Sequence, residues 1–391
     1  MYSCRRKNTA RPASGTRRFS RAGMIMVELM VALSIATVLM LGIYQIYSVS
    51  TGGYRTQNEV INAMNQARFG FEQLRRDISR AGFLATPNST ADSMVCPKPV
   101  NQLNSIIFER VGDVPNPGFN VNIQPNGVIL FGNFWSSEVY RTESVIGNVV
   151  TLQTTADGAP YPATVEEFDA IFTPGRYLRL VNAEQFEGYY PIRSASFSTG
   201  EIQLGASVAV ASPPNFCGVQ GYGVGLDATV AGFIRYRLVT DPDDALGVKV
   251  DLVRQELNPT DPLLQLAVAN STVRIAENVV DLQFYDFVVD SDRSGRAPFM
   301  THLQRIGDVL DVGTQKLDNS VDARPQDLRF VTIKLTTRTA HEEEGFRHVK
   351  RAALFTPIQS FEVDPAMEGA ARTVTLAGRV GLRTLGVRNV K

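Results

Sequence analysis

One apolar segment near the N-terminus constrains this chain more than any other feature. The 24 residues of Met24–Tyr47 contain a single charged side chain, Glu28. As an α-helix, the segment would be about 36 Å long, which exceeds the hydrocarbon core of about 30 Å of a typical bilayer. The sequence therefore predicts one helix that crosses a membrane.

The charges before this segment predict its orientation. Residues 1–23 carry no acidic residue and seven basic ones: Arg5, Arg6, Lys7, Arg11, Arg17, Arg18 and Arg21. By the positive-inside rule, the N-terminus stays in the cytoplasm and everything after about residue 48 is exported. Because the whole chain has 39 basic and 39 acidic residues, the exported part has an acidic excess. Such a surface is poorly suited to nucleic acid, and no specific nucleic-acid partner is expected.

Three simpler explanations of the segment leave something unexplained. A cleavable secretory signal has a shorter apolar region, of about 7–15 residues. A plain membrane anchor gives no reason for Glu28, since a carboxylate inside lipid costs several kcal/mol without a partner. A buried core helix does not explain the one-sided basic leader.

The residues Gly23-Met24-Ile25-Met26-Val27-Glu28 resemble the type IV prepilin signature. The resemblance implies cleavage after Gly23 by a prepilin peptidase, which also methylates the new N-terminus at Met24. It further implies that Glu28 pairs with the terminal amine of a neighbouring subunit, which offsets the cost of burying its charge. The chain departs from the family in having Met24 where phenylalanine is usual, and in its long leader.

The helical pattern continues beyond the membrane. An apolar stripe recurs in steps of three and four: Val60, Met64, Ala67, Phe71, Leu74, Ile78 and Ala81. This spacing predicts a helix with one apolar face that packs on a sheet, and Gly82 is a natural stop. Charged residues, among them Arg68, Glu72, Arg75 and Asp77, are expected on the other positions.

From residue 83 onward the pattern is typical of β-structure, with turn signals between apolar runs. The predicted strands are Gly127–Phe131, Val149–Gln153, Tyr177–Val181, Glu201–Leu204, Phe233–Val239, Val248–Arg254, Val273–Ala276, Val280–Val288 and Leu328–Arg338.

The C-terminal part of the chain is similar to minor pilins of the PilW type. The similarity rests on four strand motifs and on a final strand: Tyr236-Arg237-Leu238, Leu252-Val253-Arg254, Val280-Asp281-Leu282-Gln283-Phe284, Leu328-Arg329-Phe330-Val331 and Gly378–Gly386. It implies an α+β, type IV pilin-like fold, with a long N-terminal helix packed on an antiparallel sheet. The expected organisation is a leader at 1–23, a pilin helix at 24–82 that is membrane-spanning over 24–47, an enlarged β-rich region at 83–229, and the C-terminal sheet at 230–391.

Two cysteines remain after removal of the leader, which contains Cys4. In an oxidising compartment Cys96 and Cys217 can form a disulfide. Closing so long a loop would stabilise the fold by up to about 5 kcal/mol in the chain-entropy model. Two unrelated buried thiols remain the alternative.

An acidic turn is a candidate calcium site. Asp290, Asp292 and Ser294 alternate, and Gly295 stands at the sixth position of the pattern, as in an oxygen-ligand calcium loop. The twelfth position is Thr301 in place of the usual glutamate, and a solvated hairpin turn explains the same residues. Ca²⁺ is the only cofactor that the sequence suggests.

No motif indicates catalysis. The chain lacks the nucleophile elbow, the phosphate-binding loop and the dinucleotide-binding glycine pattern, and the spacing of His341 and His348 does not fit a zinc protease. We therefore expect a protein that is not an enzyme.

The PilW resemblance implies a minor pilin that primes assembly of a type IV pilus, the organelle of twitching motility and cell adhesion. Its expected partners are the prepilin peptidase and N-methylase, the inner membrane, other minor pilins, the major pilin and a tip adhesin of the PilY type. It would lie in the inner membrane with a periplasmic head before assembly, and at the pilus tip afterwards. Two alternatives stay open: a J-type minor pseudopilin of a type II secretion system, and an exported adhesin or DNA-binding module on a pilin helix.

Overall fold

The computed structural model describes residues 26–110, 120, 123, 125–212, 217–221, 225–261, 264–290, 300–303, 325–350 and 356–386. It contains helix α1 (Met26–Ser79) and helix α2 (Val165–Ile171). The strands are β1 (Ile106–Arg110), β2 (Asn126–Gly132), β3 (Tyr140–Ile146), β4 (Val149–Leu152), β5 (Tyr177–Val181), β6 (Glu187–Ser196), β7 (Glu201–Leu204), β8 (Asp227–Thr240), β9 (Val250–Leu257), β10 (Val273–Ala276), β11 (Val279–Asp290), β12 (Met300–Leu303), β13 (Leu328–Arg338), β14 (Glu343–Glu344), β15 (Ser360–Phe361) and β16 (Gly369–Gly381).

The chain divides into two compact units, Met1–Thr56 and Gln57–Lys391, and α1 contributes to both. In the first unit, α1 is long and apolar enough to cross a membrane, and none of its apolar window is buried by protein. A soluble protein would cover such a surface, so the exposed apolar helix indicates membrane anchoring.

The second unit is rich in antiparallel β-structure, and its main core lies between α1 and two sheets. Leu74 and Ile78 of α1 are fully buried there. One side of this core comes from β1, β2, β8, β9 and β10, the other from β11, β13 and β16. The structure is therefore α+β, with an N-terminal helix and an antiparallel body.

Six strands of the middle region form a closed ring. The order is β8-β3-β4-β7-β6-β5, and β5 pairs again with β8. Closure occurs at Ala228 of β8, which pairs with Tyr140 of β3 on one side and with Leu180 of β5 on the other. The ring encloses its own apolar core, which includes Phe168 of α2 and Phe172 directly after it.

The ring and the first sheet share one strand. Asp227–Ala231 of β8 pair within the ring, whereas Gly232–Thr240 pair with β2 and β9. The predicted boundary at 229/230 therefore falls inside β8, and the two β regions are joined by a single continuous strand.

The prediction that the chain is purely β after residue 83 was wrong at α2. The Thr164 side chain accepts a hydrogen bond of 3.2 Å from the backbone N–H of Glu167, which caps the first turn. Phe168 and Ile171 then project into the core of the ring. The short helix was missed because its apolar pattern covers only two turns.

Candidate functional site

The candidate site is the carboxylate of Glu28 in the first turn of α1. From Met26 to Tyr54 it is the only charged side chain. The Glu28 carboxylate is exposed, and within the described part of the chain no residue forms a hydrogen bond or ion pair with it. Glu28 is thus a charged group on an apolar helix surface with no partner in its own described subunit.

Other polar side chains of this segment are satisfied locally, in contrast to Glu28. The Ser34 hydroxyl donates to the carbonyl of Met30 at 2.8 Å, and the Thr37 hydroxyl donates to that of Leu33 at 2.7 Å. Such bonds to the preceding turn allow hydroxyl groups to enter lipid at little cost. A carboxylate has no proton to donate in this way, so Glu28 needs an external cation or donor.

The residues predicted for processing, Gly23 and Met24, lie outside the described residues, as does the basic leader. The predictions of cleavage and methylation therefore remain predictions.

A second group of polar residues fixes α1 to the body. Asp77 is buried, and its Oδ2 accepts a hydrogen bond of 2.7 Å from the Tyr236 hydroxyl. Arg254 Nε contacts the same oxygen at 3.0 Å. Asp77 was expected outside the apolar stripe. It is nevertheless buried, because its position adjoins the stripe and Tyr236 and Arg254 meet it in the core.

The structure joins Cys96 and Cys217 by a disulfide, with 5.1 Å between the Cα atoms. The bridge connects the segment before β1 to the segment before β8, 121 residues later. A disulfide is typical of an oxidising compartment, which agrees with export of the body.

Most of the predicted calcium turn lies outside the described residues. Asp292 and Ser294 lie outside the described residues, and Asp290 ends β11 without a described side chain. Within the ranges given above, no group of three His, Cys, Asp or Glu residues could hold a metal ion. Calcium binding remains a prediction, which titration calorimetry with Ca²⁺ tests directly.

The two histidines whose side chains the structure describes do not converge. His341 Nδ1 lies 3.1 Å from a carboxylate oxygen of Glu59 on α1, whereas His348 Nδ1 lies 3.3 Å from the Ser360 hydroxyl on β15. The side chain of His302, in β12, is not described.

Two basic residues of β16 have acidic partners. Arg372 pairs with Glu343 at 2.5 Å, and Arg379 pairs with Asp286. These ion pairs reduce the positive field that β16 could offer to a nucleic acid.

Buried ion pairs lie within the ring and between the ring and β9 of the first sheet. Arg176 donates two hydrogen bonds of 2.9 Å to Glu256 and stacks on Trp135, with its guanidinium 3.9 Å from the ring centroid. Arg179 pairs with the fully buried Glu187. Burial raises the pKa of the nearby Tyr177 to about 12. Because each of these arginines is paired with a carboxylate inside the protein, we interpret the ion pairs as structural.

A shallow groove of about 380 Å³ runs beside α1. Its lining comes from α1 and from the β10 region: Asn65, Gln66, Phe69, Arg274, Ile275, Ala276 and Glu277. The groove contains no pairing of nucleophile and base.

Comparison with protein-family models, with curated proteins and with solved structures finds no match for this chain.

Proposed function

We propose that this chain is a minor pilin of the PilW type, which inserts in the inner membrane and takes part in priming the assembly of a type IV pilus. The observation that carries the proposal is the carboxylate of Glu28. It has no described partner, and it lies in an apolar part of the helix that no other part of the protein buries.

The position of Glu28 supports assembly over simple anchoring. A helix that only anchors a protein gains nothing from an unneutralised charge, which costs several kcal/mol in lipid. Pairing with a cation from another subunit offsets this cost and favours one axial register between neighbouring helices. A free N-terminal amine at Met24, one helical turn from Glu28, would be such a cation.

The body supports export and a structural role. Its disulfide suits an oxidising compartment. Its Arg176, Arg179 and Arg254 side chains pair with carboxylates of the same chain. A tip position, contact with an adhesin of the PilY type and a part in twitching motility are finer expectations of the PilW resemblance.

The first experiment determines at which residue the mature protein begins. Protein isolated from membranes is digested, and its N-terminal peptide is identified by mass spectrometry. We expect a peptide that begins at methylated Met24. Recovery of the mature protein with Arg21 and the rest of the leader attached would overturn the proposal.

The second experiment compares Glu28→Gln with Ser34→Ala in the same helix. Both variants should be inserted and processed, because neither shortens the apolar segment. Only Glu28→Gln should fail to co-purify with other pilin subunits and to enter sheared pili. Equal incorporation of Glu28→Gln and the parent protein would contradict the assembly role.

The phenotype of a deletion strain distinguishes the alternatives. Loss of surface pili supports the minor pilin. Loss of secreted enzymes with normal pili supports the type II pseudopilin. Intact pili with loss of adhesion or DNA uptake supports an exported binding module.

A further inference from the structure

Strand β16 has an open edge within the part of the chain that the structure describes. From Thr373 to Gly381 one side of the strand pairs with β13. Its first residues, Gly369–Arg372, also meet β14 and β15. Among the described strands, none pairs with the outer side of residues 374–381.

Two hydrogen bonds at the ends of the pairing show which backbone groups point outward. The N–H of Thr339 donates to the carbonyl of Arg372, and the N–H of Leu382 donates to that of Arg329, each at 2.8 Å. In an antiparallel pair, alternate residues direct both backbone groups to the partner strand. The even-numbered residues of β16 therefore face β13, and the odd-numbered ones face away.

The outward-facing residues are Thr375, Ala377 and Arg379. Within the described ranges their N–H and C=O groups have no backbone partner. A row of such groups at a strand edge is a template for a further strand. Ala377, in the middle of the row, is also an exposed residue.

We propose that this edge of β16 accepts an extended strand from a partner protein, and that the strand carries an apolar residue flanked by acidic ones. This inference does not depend on the proposed function, because strand addition requires only the folded second unit.

The charges beside the edge indicate the chemistry of the incoming strand. Gly378 lies under Phe71 of α1, so close that an added Cβ would be 2.7 Å from the ring. Arg68 and Arg75 are three residues before and four residues after Phe71, so they lie on the same side of α1. Both are exposed. Among the described carboxylates, none pairs with Arg68, and Arg75 pairs with the exposed Glu72 alone.

The distance between these two cations is similar to the distance between residues on the same side of a strand. Arg68 and Arg75 are separated by about 10.5 Å along the helix axis. Residues four apart in a strand face the same side and are separated by about 13 Å. An acidic residue at each of these two strand positions, with an apolar residue midway, would place the apolar side chain over Phe71 and the carboxylates near the two arginines.

The test uses the full-length protein in detergent, with a peptide tethered to its C-terminus by a flexible Gly/Ser linker. The peptide contains the pattern Glu-Thr-Val-Thr-Glu, and a matched peptide contains Lys-Thr-Val-Thr-Lys. The tether provides a millimolar effective concentration. Amide hydrogen exchange is measured at Thr375, Ala377 and Arg379.

We expect exchange at these odd-numbered amides to slow about tenfold or more with the acidic peptide and not with the basic one. Ala377→Pro removes the central outward N–H without breaking the pairing with β13 and should abolish the effect. Ala377→Val keeps the N–H and should preserve it. Arg68→Glu should weaken binding of the acidic peptide.

Two results would overturn the inference. One is unchanged exchange at all three amides with the acidic peptide while thermal unfolding shows an intact fold. The other is a dimer of the untethered protein in sedimentation that Ala377→Pro converts to a monomer, because the occupant would then be a second copy of this chain.

Discussion

Asp77 of α1 and Tyr236 of β8 are joined by a buried hydrogen bond of 2.7 Å between the tyrosine hydroxyl and the carboxylate. Burial, and next the negative charge of Asp77, raises the pKa of Tyr236, so its hydroxyl stays protonated and donates. Arg254 of β9 adds a cation at 3.0 Å. The helix is thus held to two neighbouring strands through a single carboxylate.

We predict that Asp77→Asn lowers the free energy of unfolding by about 3 kcal/mol, because it leaves Arg254 buried without its counter-ion. Tyr236→Phe should cost about 1 kcal/mol, the usual value for one hydrogen bond. Urea unfolding of the detergent-solubilised protein measures both. Glu72→Gln, which breaks an exposed ion pair on the same helix, should change stability by less than about 0.5 kcal/mol. An equal effect of Asp77→Asn and Glu72→Gln would contradict this account.

The disulfide should account for a large share of the stability. Because Cys96 and Cys217 are 121 residues apart, replacing both by serine should lower the free energy of unfolding by about 4–5 kcal/mol in the chain-entropy model. Thiol labelling under denaturing conditions should find no free cysteine in the mature parent protein before reduction. Reduced parent and the double variant should unfold at the same urea concentration, and a clear difference between them would argue against the bridge.

Gly132 of β2 tests how closely the sheet approaches the end of α1. A Cβ at this position would lie 3.0 Å from the carbonyl oxygen of Arg80 and 3.1 Å from the nitrogen of Gly82. Backbone atoms cannot rotate away, so Gly132→Ala should destabilise the protein by about 1–3 kcal/mol. At Gly205 the nearest atom would be 3.6 Å away, and Gly205→Ala should stay within about 0.5 kcal/mol of the parent. Thermal and urea unfolding distinguish the two.

The turn between β8 and β9 should be sensitive to acid. The backbone N–H groups of Lys249 and Val248 donate to the Asp244 carboxylate at 2.6 and 2.7 Å. These hydrogen bonds, the one from Lys249 most of all, lower the pKa of Asp244 below 3.8. Because the folded pKa lies below that of the unfolded chain, the stabilisation is present above pH 3.8 and is lost as pH falls through the folded pKa. Asp244→Asn should be less stable than the parent at pH 7, and the difference should shrink below pH 3.8.

Asp243→Asn is the matched control for this turn, since the Asp243 carboxylate accepts no hydrogen bond from the described residues. Its unfolding curve should follow that of the parent at both pH values. If Asp244→Asn behaved like Asp243→Asn, the assignment of the acid response would be wrong.

Local patterns predicted the elements with strong periodicity. The apolar run at α1 and the alternation in β13 have short-range causes, and Leu328–Arg338 appears in the structure with the predicted bounds. Glu28 could be chosen as a candidate for the same reason, because one charge in an apolar run is visible without knowledge of the fold.

Features that depend on distant residues were not predictable in this way. Closure of the ring at Ala228 depends on the register of strands far apart in the chain, and no local pattern encodes it. Asp77 has the polarity of a surface residue, and only the arrival of Tyr236 and Arg254 from two strands makes its burial favourable. The open edge of β16 likewise emerges only when the sheet order is known.

The continuity of strand β8 has a mechanical consequence for the attachment of α1. Its first residues close the ring and its later residues hold Tyr236 against Asp77, so a pull on the ring is transmitted along one covalent backbone to the attachment of the helix. The backbone hydrogen bonds of β8 to β2 and to β9 would have to break before the ring could separate from the first sheet. A tensile load on the ring should therefore reach α1 without first being absorbed by a hinge.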